Sequence, residues 1–320
     1  MESLSFSSEV KSELSHHFGN GRHCWIAEIA ALINMCGHIE EKNDKFCIII
    51  QTENVVAAKK LFTLVKKTFK IDSKVLIRRN RQLKKNRIYI LSIDEPVSAE
   101  KILLATGILQ RGKKTIQSVI DPLMVSSMCC KRAYIRGAFI AGGSLTDPEK
   151  NYHLEFVNTS PKHAESLMNL INSFGIESKM IDRKDHMVVY LKDGEQIVDL
   201  LNIMEAHVAL MQLENVRILK DMRNNVNRKV NCETANLNKV VAASVKQVDD
   251  ITFVKSSGQL GQLAEPLQEI AELRLQFPDA SLKELGRMLN PPVGKSGVNH
   301  RLRKISEVAE ALSEEKGEGL

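Results

Sequence analysis

The spacing of apolar residues along the chain separates helices from strands. Residues 25–37 are small and apolar on every side and close on a glycine. A helix without a polar face is a buried one, and its alanines let a second backbone come close. Gly37 reads as its C-cap. Residues 45–50 are β-branched and read as a strand. Residues 55–69 carry apolar side chains at 55, 58, 61, 62, 65 and 69, the stripe of an amphipathic helix. Residues 73–77 and 87–93 read as two strands around a basic turn.

The same order returns about 105 residues later. Residues 134–143 are again small, apolar and closed by glycine. Residues 153–157 read as a strand, with Thr159 after it as Thr52 follows the first. Residues 161–174 read as a helix opened by Pro161. Phe174-Gly175-Ile176-Glu177-Ser178-Lys179 parallels Phe69-Lys70-Ile71-Asp72-Ser73-Lys74, and residues 187–191 close the unit as a strand. Two α-β-α-β-β units predict an internally duplicated α+β domain, its two small-residue helices packed at a pseudo-twofold axis. Residues 205–247 are mostly helical by period. Residues 248–262, with Ser256-Ser257-Gly258 and Gly261, read as a linker.

The C-terminal pattern differs. Pro266 opens a helix to about Gln276. Ser281-Leu282-Lys283-Glu284 is a capping box, and Leu282, Leu285, Met288 and Leu289 line one face of the helix it starts. Asn290-Pro291-Pro292 ends that helix. Ser296 reads as the cap of a third helix with Val298, Leu302 and Ile305 inward. Its outward side holds Asn299, His300, Arg301, Arg303 and Lys304. Residues 295–304 contain four basic side chains and no acid. Three short helices with a basic third helix fit a helix-turn-helix, in which Arg and Asn can pair with base edges in a major groove. The alternative is a three-helix bundle with a solvated basic face.

Composition narrows the classes. The 320 residues suggest about two domains. At 43% hydrophobic residues the chain folds rather than staying disordered. No uncharged apolar run reaches the roughly 18 residues of a membrane helix, and the first nine residues lack a secretion-signal pattern. Six cysteines without a C-x-x-C pair imply reduced thiols. Aromatic residues are only 5%, too few for a single-strand stacking platform. Net charge is +6, but it is concentrated. Residues 71–87 hold Lys74, Arg78, Arg79, Arg81, Lys84, Lys85 and Arg87 against one acid, Asp72. The matching segment of the second unit is weaker, with Lys179, Arg183 and Lys184 against Asp182 and Asp185. Such a ribbon can track phosphates, or be a solvated hairpin tip. A further run, Arg217, Lys220, Arg223, Arg228 and Lys229, reads as a phosphate contact or an exposed helix face.

These residues resemble a known family. Residues 25–37 and 134–143 look like the paired LAGLIDADG helices of homing endonucleases, and Arg136-Gly-Ala-Phe-Ile-Ala-Gly-Gly-Ser144 is similar to the motif form Arg-Gly-Leu-Phe-Asp-Ala-Asp-Gly-Ser. Together with Asn231-Cys-Glu-Thr-Ala-Asn-Leu237 and Lys295-Ser-Gly-Val-Asn-His-Arg-Leu-Arg-Lys304, nearly the whole chain resembles the WhiA family of bacterial regulators. The resemblance implies a degenerate LAGLIDADG-like domain in two units, 1–125 with an N-terminal helix and 126–222. A helical connector and linker at 223–263 and a helix-turn-helix at 264–320 would follow. It implies a role in transcription, cell division and, in spore formers, sporulation. In the nucleases the last Asp of each motif holds a divalent cation for phosphodiester cleavage. The matching positions here are Cys36 and Gly142, so hydrolysis is not expected.

The expectation is therefore a non-catalytic, cytoplasmic, nucleoid-associated regulator without cofactor or metal, bound to double-stranded DNA. Arg301, Asn299, His300 and Arg303 would read bases or position the third helix. Ser281, Lys283, Lys295, Ser296 and Lys304 would surround them, and Arg78, Arg79, Arg81, Lys84, Lys85 and Arg87 would contact phosphates. Other regulators or RNA polymerase are further candidate partners, and the internal duplication favours a monomer. The alternatives are a protein- or ligand-binding scaffold in cell division and an active homing-type endonuclease. His23-Cys24 with Cys36 and His38 fit no zinc spacing, and a buried thiol is the simpler reading of Cys36.

Overall fold

The computed structural model describes residues 5–42, 45–79, 87–110, 112 and 115–317, and the chain divides into two compact units, Met1–Lys220 and Asp221–Leu320. The first unit opens with α1 (Phe6–His16). Its first repeat is α2 (Arg22–Cys36), β1 (Gly37–Lys42), β2 (Lys45–Thr52), α3 (Val55–Phe69), β3 (Lys74–Arg79), β4 (Arg87–Ile93) and α4 (Pro96–Ala105). Its second repeat is α5 (Met128–Gly142), β5 (Gly143–Leu145), β6 (Leu154–Asn158), α6 (Pro161–Asn172), β7 (Lys179–Arg183), β8 (His186–Leu191) and α7 (Gly194–Met204). Both sheets are antiparallel and share one strand order, β1-β2-β4-β3 and β5-β6-β8-β7. The duplication is thus visible in topology as well as in sequence.

Local chemistry fixes the helix starts. The Asn54 side chain accepts from Val56 N–H, that of Ser160 from His163 N–H, and that of Asp193 from Glu195 and Gln196 N–H. These caps satisfy donors that a helix end leaves open.

The core of this unit is the α2–α5 pair. Ala27, Ala30, Ala31, Ala133 and Ala138 are buried along it. A Cβ on Gly137 would stand 2.7 Å from Glu28 O and 3.0 Å from Ala31 Cβ, so only glycine permits this approach. A buried ionic network crosses the pair. Lys60 Nζ lies 3.3 Å from Glu28 Oε1, and Arg136 Nε lies 3.6 Å from it. Arg136 also donates to Glu205 and to Met204 O, while Lys60 donates to the carbonyls of Leu14, Ser15 and His17. Burial pushes the Glu28 carboxyl up, opposed by both cations. A polar relay runs beside it. Asn34 Nδ2 donates to Tyr134 Oη at 2.9 Å, and Tyr134 Oη lies 2.8 Å from His163 Nε2. His163 Nδ1 lies 2.9 Å from Asn158 Oδ1. That chain is satisfied in one direction only, with a neutral imidazole donating from Nδ1 to the Asn158 acceptor. Burial lowers the His163 pKa to about 4, in keeping with this.

In the second unit, the later part of α8 (His207–Ser256), α9 (Glu265–Gln276), α10 (Leu282–Met288) and α11 (Lys295–Gly317) surround a separate core. Residue 221, where this unit begins, lies within α8. Two readings are corrected here. Residues 248–256 are helix, not linker, because Ile251 and Val254 recur one turn apart and pack into this core. Ser296 does not cap α11, since the helix already starts at Lys295 and Val298 N–H donates to Gly294 O. Gly37 is the C-cap of α2, its N–H donating to Ile33 O, with an extended φ of −93° from which the chain runs straight into β1. Each repeat also holds one more strand and one more helix than the apolar pattern indicated.

Candidate nucleic-acid interface

The α9–α11 bundle is held from inside. Ile270, Ala271, Leu285, Leu289, Val298, Leu302 and Ile305 are all buried. The capping box forms: Ser281 Oγ accepts from Glu284 N–H at 3.3 Å, and Ser281 N–H donates to Glu284 Oε2 at 2.8 Å. Ser281 is thus engaged locally. Arg274, which sequence reasoning missed, is 2% exposed and donates to Pro278 O at 3.1 Å and Ala280 O at 2.7 Å. Its guanidinium pins the turn before α10. No sequence signal separates it from the other arginines; only its burial does.

With that core inside, the polar side of α11 faces out. Lys295, Ser296, Asn299, His300, Arg303 and Lys304 are exposed, and Arg301 is half-buried. Lys283 is exposed on α10, as is Arg287, which the sequence reading left out. Arg303 is tethered, its Nε 3.2 Å from Glu307 Oε1. Lys283, Lys295 and Lys304 have no ion-pair partner among the described residues. This face can offer amide, imidazole and cationic donors to a phosphate backbone and base edges.

The first unit presents a second basic edge. Arg78 and Arg79 lie on β3, an edge strand, and Arg79 pairs in register with Arg87 of β4. Arg78 and Arg87 are exposed. Arg81, Lys84 and Lys85 fall outside the described residues. Lys74 is bound to Asp94 at 2.9 Å, which raises the lysine pKa and lowers that of the aspartate. Val75, Leu76 and Ile77 are exposed beside these charges. In the second repeat Arg183 lies 3.7 Å from Glu155, so that edge is more neutral. On α8, Arg217 pairs with Glu214 and Lys220 donates to Pro148 O, while Arg223, Arg228 and Lys229 are exposed.

The helix ends that bear carboxylates in LAGLIDADG nucleases are built differently here. Cys36 Sγ donates to Leu32 O at 3.1 Å, and burial pushes its thiol up to about 12. The Lys11 ammonium interacts with it from α1 and is itself lowered to about 8 by desolvation. A Cβ on Gly142 would meet Met35 Cε at 2.5 Å and Val157 O at 3.0 Å. A protonated thiol, a glycine in a filled space and a lysine do not fit Mg²⁺, which takes oxygen ligands. Glu155, on the strand opposite Ser144, is engaged by Ser144 Oγ at 3.2 Å and His153 Nε2 at 3.1 Å.

At the opposite ends of these helices, His23 and Cys24 meet Cys129 and Cys130. Cys36 and His38 take no part, since they sit at the other end of α2.

Three consecutive stretches match family descriptions. Residues 22–109 match the WhiA N-terminal LAGLIDADG-like domain, 131–223 the WhiA LAGLIDADG-like domain, and 226–309 the WhiA C-terminal HTH domain. The chain belongs to the WhiA family. Its WhiA relatives include a "Probable cell division protein WhiA" of Lachnoclostridium phytofermentans, 51% identical over 97% of this chain and 99% of that one. The protein of the same name from Clostridium perfringens strain 13 is 49% identical over 97% and 98%. Among solved structures, full-length WhiA from "Thermatoga maritima" aligns with a TM-score of 0.60 at 24% identity, covering 96% of this chain and 99% of that chain. The N-terminal LAGLIDADG domain of a WhiA aligns at 0.50 and 22% identity, covering 64% of this chain and 93% of that chain. The fold class is therefore a duplicated LAGLIDADG-like α+β domain followed by a helical helix-turn-helix domain.

Proposed function

We propose that this WhiA-family chain is a non-catalytic regulator of transcription that binds double-stranded DNA and acts in cell division and, where the host forms spores, in sporulation. The observation that carries the reading is the polar face of α11. From Lys295 to Lys304 it carries four basic residues and no acid, set outward by the buried Val298–Leu302–Ile305 stripe. Asn299, His300, Arg301 and Arg303 read bases or position the helix; Lys283, Lys295, Ser296 and Lys304 hold the backbone, with Ser281 fixing α10. Arg78, Arg79 and Arg87 add phosphate contacts from the first unit, and Arg81, Lys84 and Lys85 of the same basic run of sequence join them. The chain works as a monomer in the cytoplasm, at the nucleoid, where other regulators or RNA polymerase are its further partners.

The absence of cleavage is supported by Cys36, Gly142 and Lys11 at the helix ends. Fluorescence anisotropy with labelled duplexes, run beside incubation of the full chain with plasmid and Mg²⁺ or Mn²⁺, tests both halves. Salt-sensitive binding with intact plasmid is expected. Cleavage that chelation abolishes would overturn the non-catalytic reading. Truncation before residue 264 separates regulator from scaffold: loss of DNA binding supports the first, and unchanged DNA binding contradicts it.

A further inference from the structure

The ligand atoms of His23, Cys24, Cys129 and Cys130 all lie within 4.8 Å of one another. His23 Nδ1 is 3.0 Å from Cys130 Sγ, 3.4 Å from Cys24 Sγ and 4.0 Å from Cys129 Sγ. A tetrahedral zinc site with Zn–S of about 2.3 Å and Zn–N of about 2.0–2.1 Å has ligand–ligand edges of about 3.4–3.8 Å. The observed separations bracket that figure.

The placement is symmetric. His23 and Cys24 are the second and third residues of α2, and Cys129 and Cys130 are the second and third of α5. The two pairs meet because α2 and α5 pack across the pseudo-twofold axis. Neither helix has a side-chain cap or an acid in its first turn. The cluster thus lies in the first turn of both helices, at the positive end of each helix dipole, where thiolates are favoured. Gly19 and Gly21 make room: a Cβ on Gly21 would stand 2.4 Å from His23 Nε2, and one on Gly19 2.8 Å from Cys24 Cβ. A cavity of about 480 Å³ reaches His23, Cys24 and Cys129, giving an ion a way in. Cys24 and Cys130 are buried while His23 and Cys129 are exposed.

We propose that this is a Cys₃His metal site that takes Zn²⁺ and ties the amino-terminal ends of α2 and α5 together. Three thiolates and one imidazole are a soft donor set suited to zinc and poor for Mg²⁺ or Ca²⁺. Binding converts three thiols to thiolates and releases three protons to solvent, while His23 donates a lone pair from Nδ1.

The test uses the full chain, expressed without a polyhistidine tag and purified under reductant with air excluded. Elemental analysis should find one zinc per chain. Co²⁺ added to the metal-stripped wild-type chain should give a thiolate-to-cobalt charge-transfer band and tetrahedral d–d bands. The double variant Cys24→Ser with Cys130→Ser should lose both signals, and Cys232→Ser, on exposed α8, should keep them. A metal-free wild-type chain that gives no charge-transfer band with Co²⁺ would overturn the proposal even if the double variant fails to fold. Finding Cys24 and Cys130 joined in a disulfide in the air-excluded preparation would overturn it too.

Discussion

Replacing Lys295 and Lys304 together by alanine removes two exposed cations from the ends of the proposed reading face of α11. Neither has an acidic partner among the described residues, so each is available to a phosphate, whereas Arg303 is held by Glu307 at 3.2 Å. Each phosphate neutralised by a protein cation contributes about 0.9 to the slope of log K against log salt on duplex DNA. The double variant should therefore flatten that slope by about 1.8. If counterion release is the whole of their contribution, affinity falls about 60-fold at 0.1 M salt and only three- to fourfold at 0.5 M. Fluorescence anisotropy across a salt series, with one labelled duplex and the full chain, reads both quantities. A control runs the other way: Glu307→Gln frees Arg303 and removes an anion, so it should tighten binding. Parallel salt lines for wild type and double variant would refute the reasoning, because these lysines would then touch no phosphate.

Other expectations follow from the first unit. Glu28→Ala leaves the Lys60 and Arg136 cations buried without their shared carboxylate, at a cost of about 3–5 kcal/mol; thermal denaturation should show that unit melting about 6–20 °C lower. His163 is held neutral with a pKa near 4, against 6.5 when free. The unfolded chain binds the extra proton between those values, so stability rises with pH across that window and is lost as pH falls from about 6.5 to 4, by about 3 kcal/mol. Urea midpoints at both pH values should show this loss in wild type and much less of it in His163→Gln. Gly142→Asp restores a carboxylate but drives its Cβ toward Met35 Cε and Val157 O. It should destabilise by about 1–3 kcal/mol in calorimetry and give no plasmid cleavage with Mg²⁺, since Cys36 and Lys11 remain; cleavage would contradict the account of the helix ends.

What could be read from sequence was what repeats locally. The mainly small and apolar α2 and α5 helices, the capping box at Ser281 and the Val298–Leu302–Ile305 stripe are period and spacing signals, and each is present in the fold. β1 was invisible because Gly37–Lys42 is mostly polar and starts where α2 stops; β5 is only three residues long. The end of α8 was misread because Ser256-Ser257-Gly258 is a strong breaker that drew the boundary too early, ahead of the Ile251 and Val254 pair. Side-chain partnerships between distant segments left no trace in spacing. The Asn34–Tyr134–His163–Asn158 relay, the Arg274 pin and the meeting of His23–Cys24 with Cys129–Cys130 all depend on which helices pack together. For the cysteines a clue was available: they stand at equivalent positions of a duplicated helix, and such positions converge when the helices meet at a twofold axis.

The central claim is that α11 directs this chain to particular duplex sites. Chromatin immunoprecipitation followed by sequencing in the native host, comparing wild type with an Asn299→Ala, His300→Ala variant of equal abundance, tests it most directly. The account predicts discrete promoter-proximal peaks for wild type that collapse to background in the variant. Peaks that persist unchanged in the variant, or no enrichment for wild type, would contradict it.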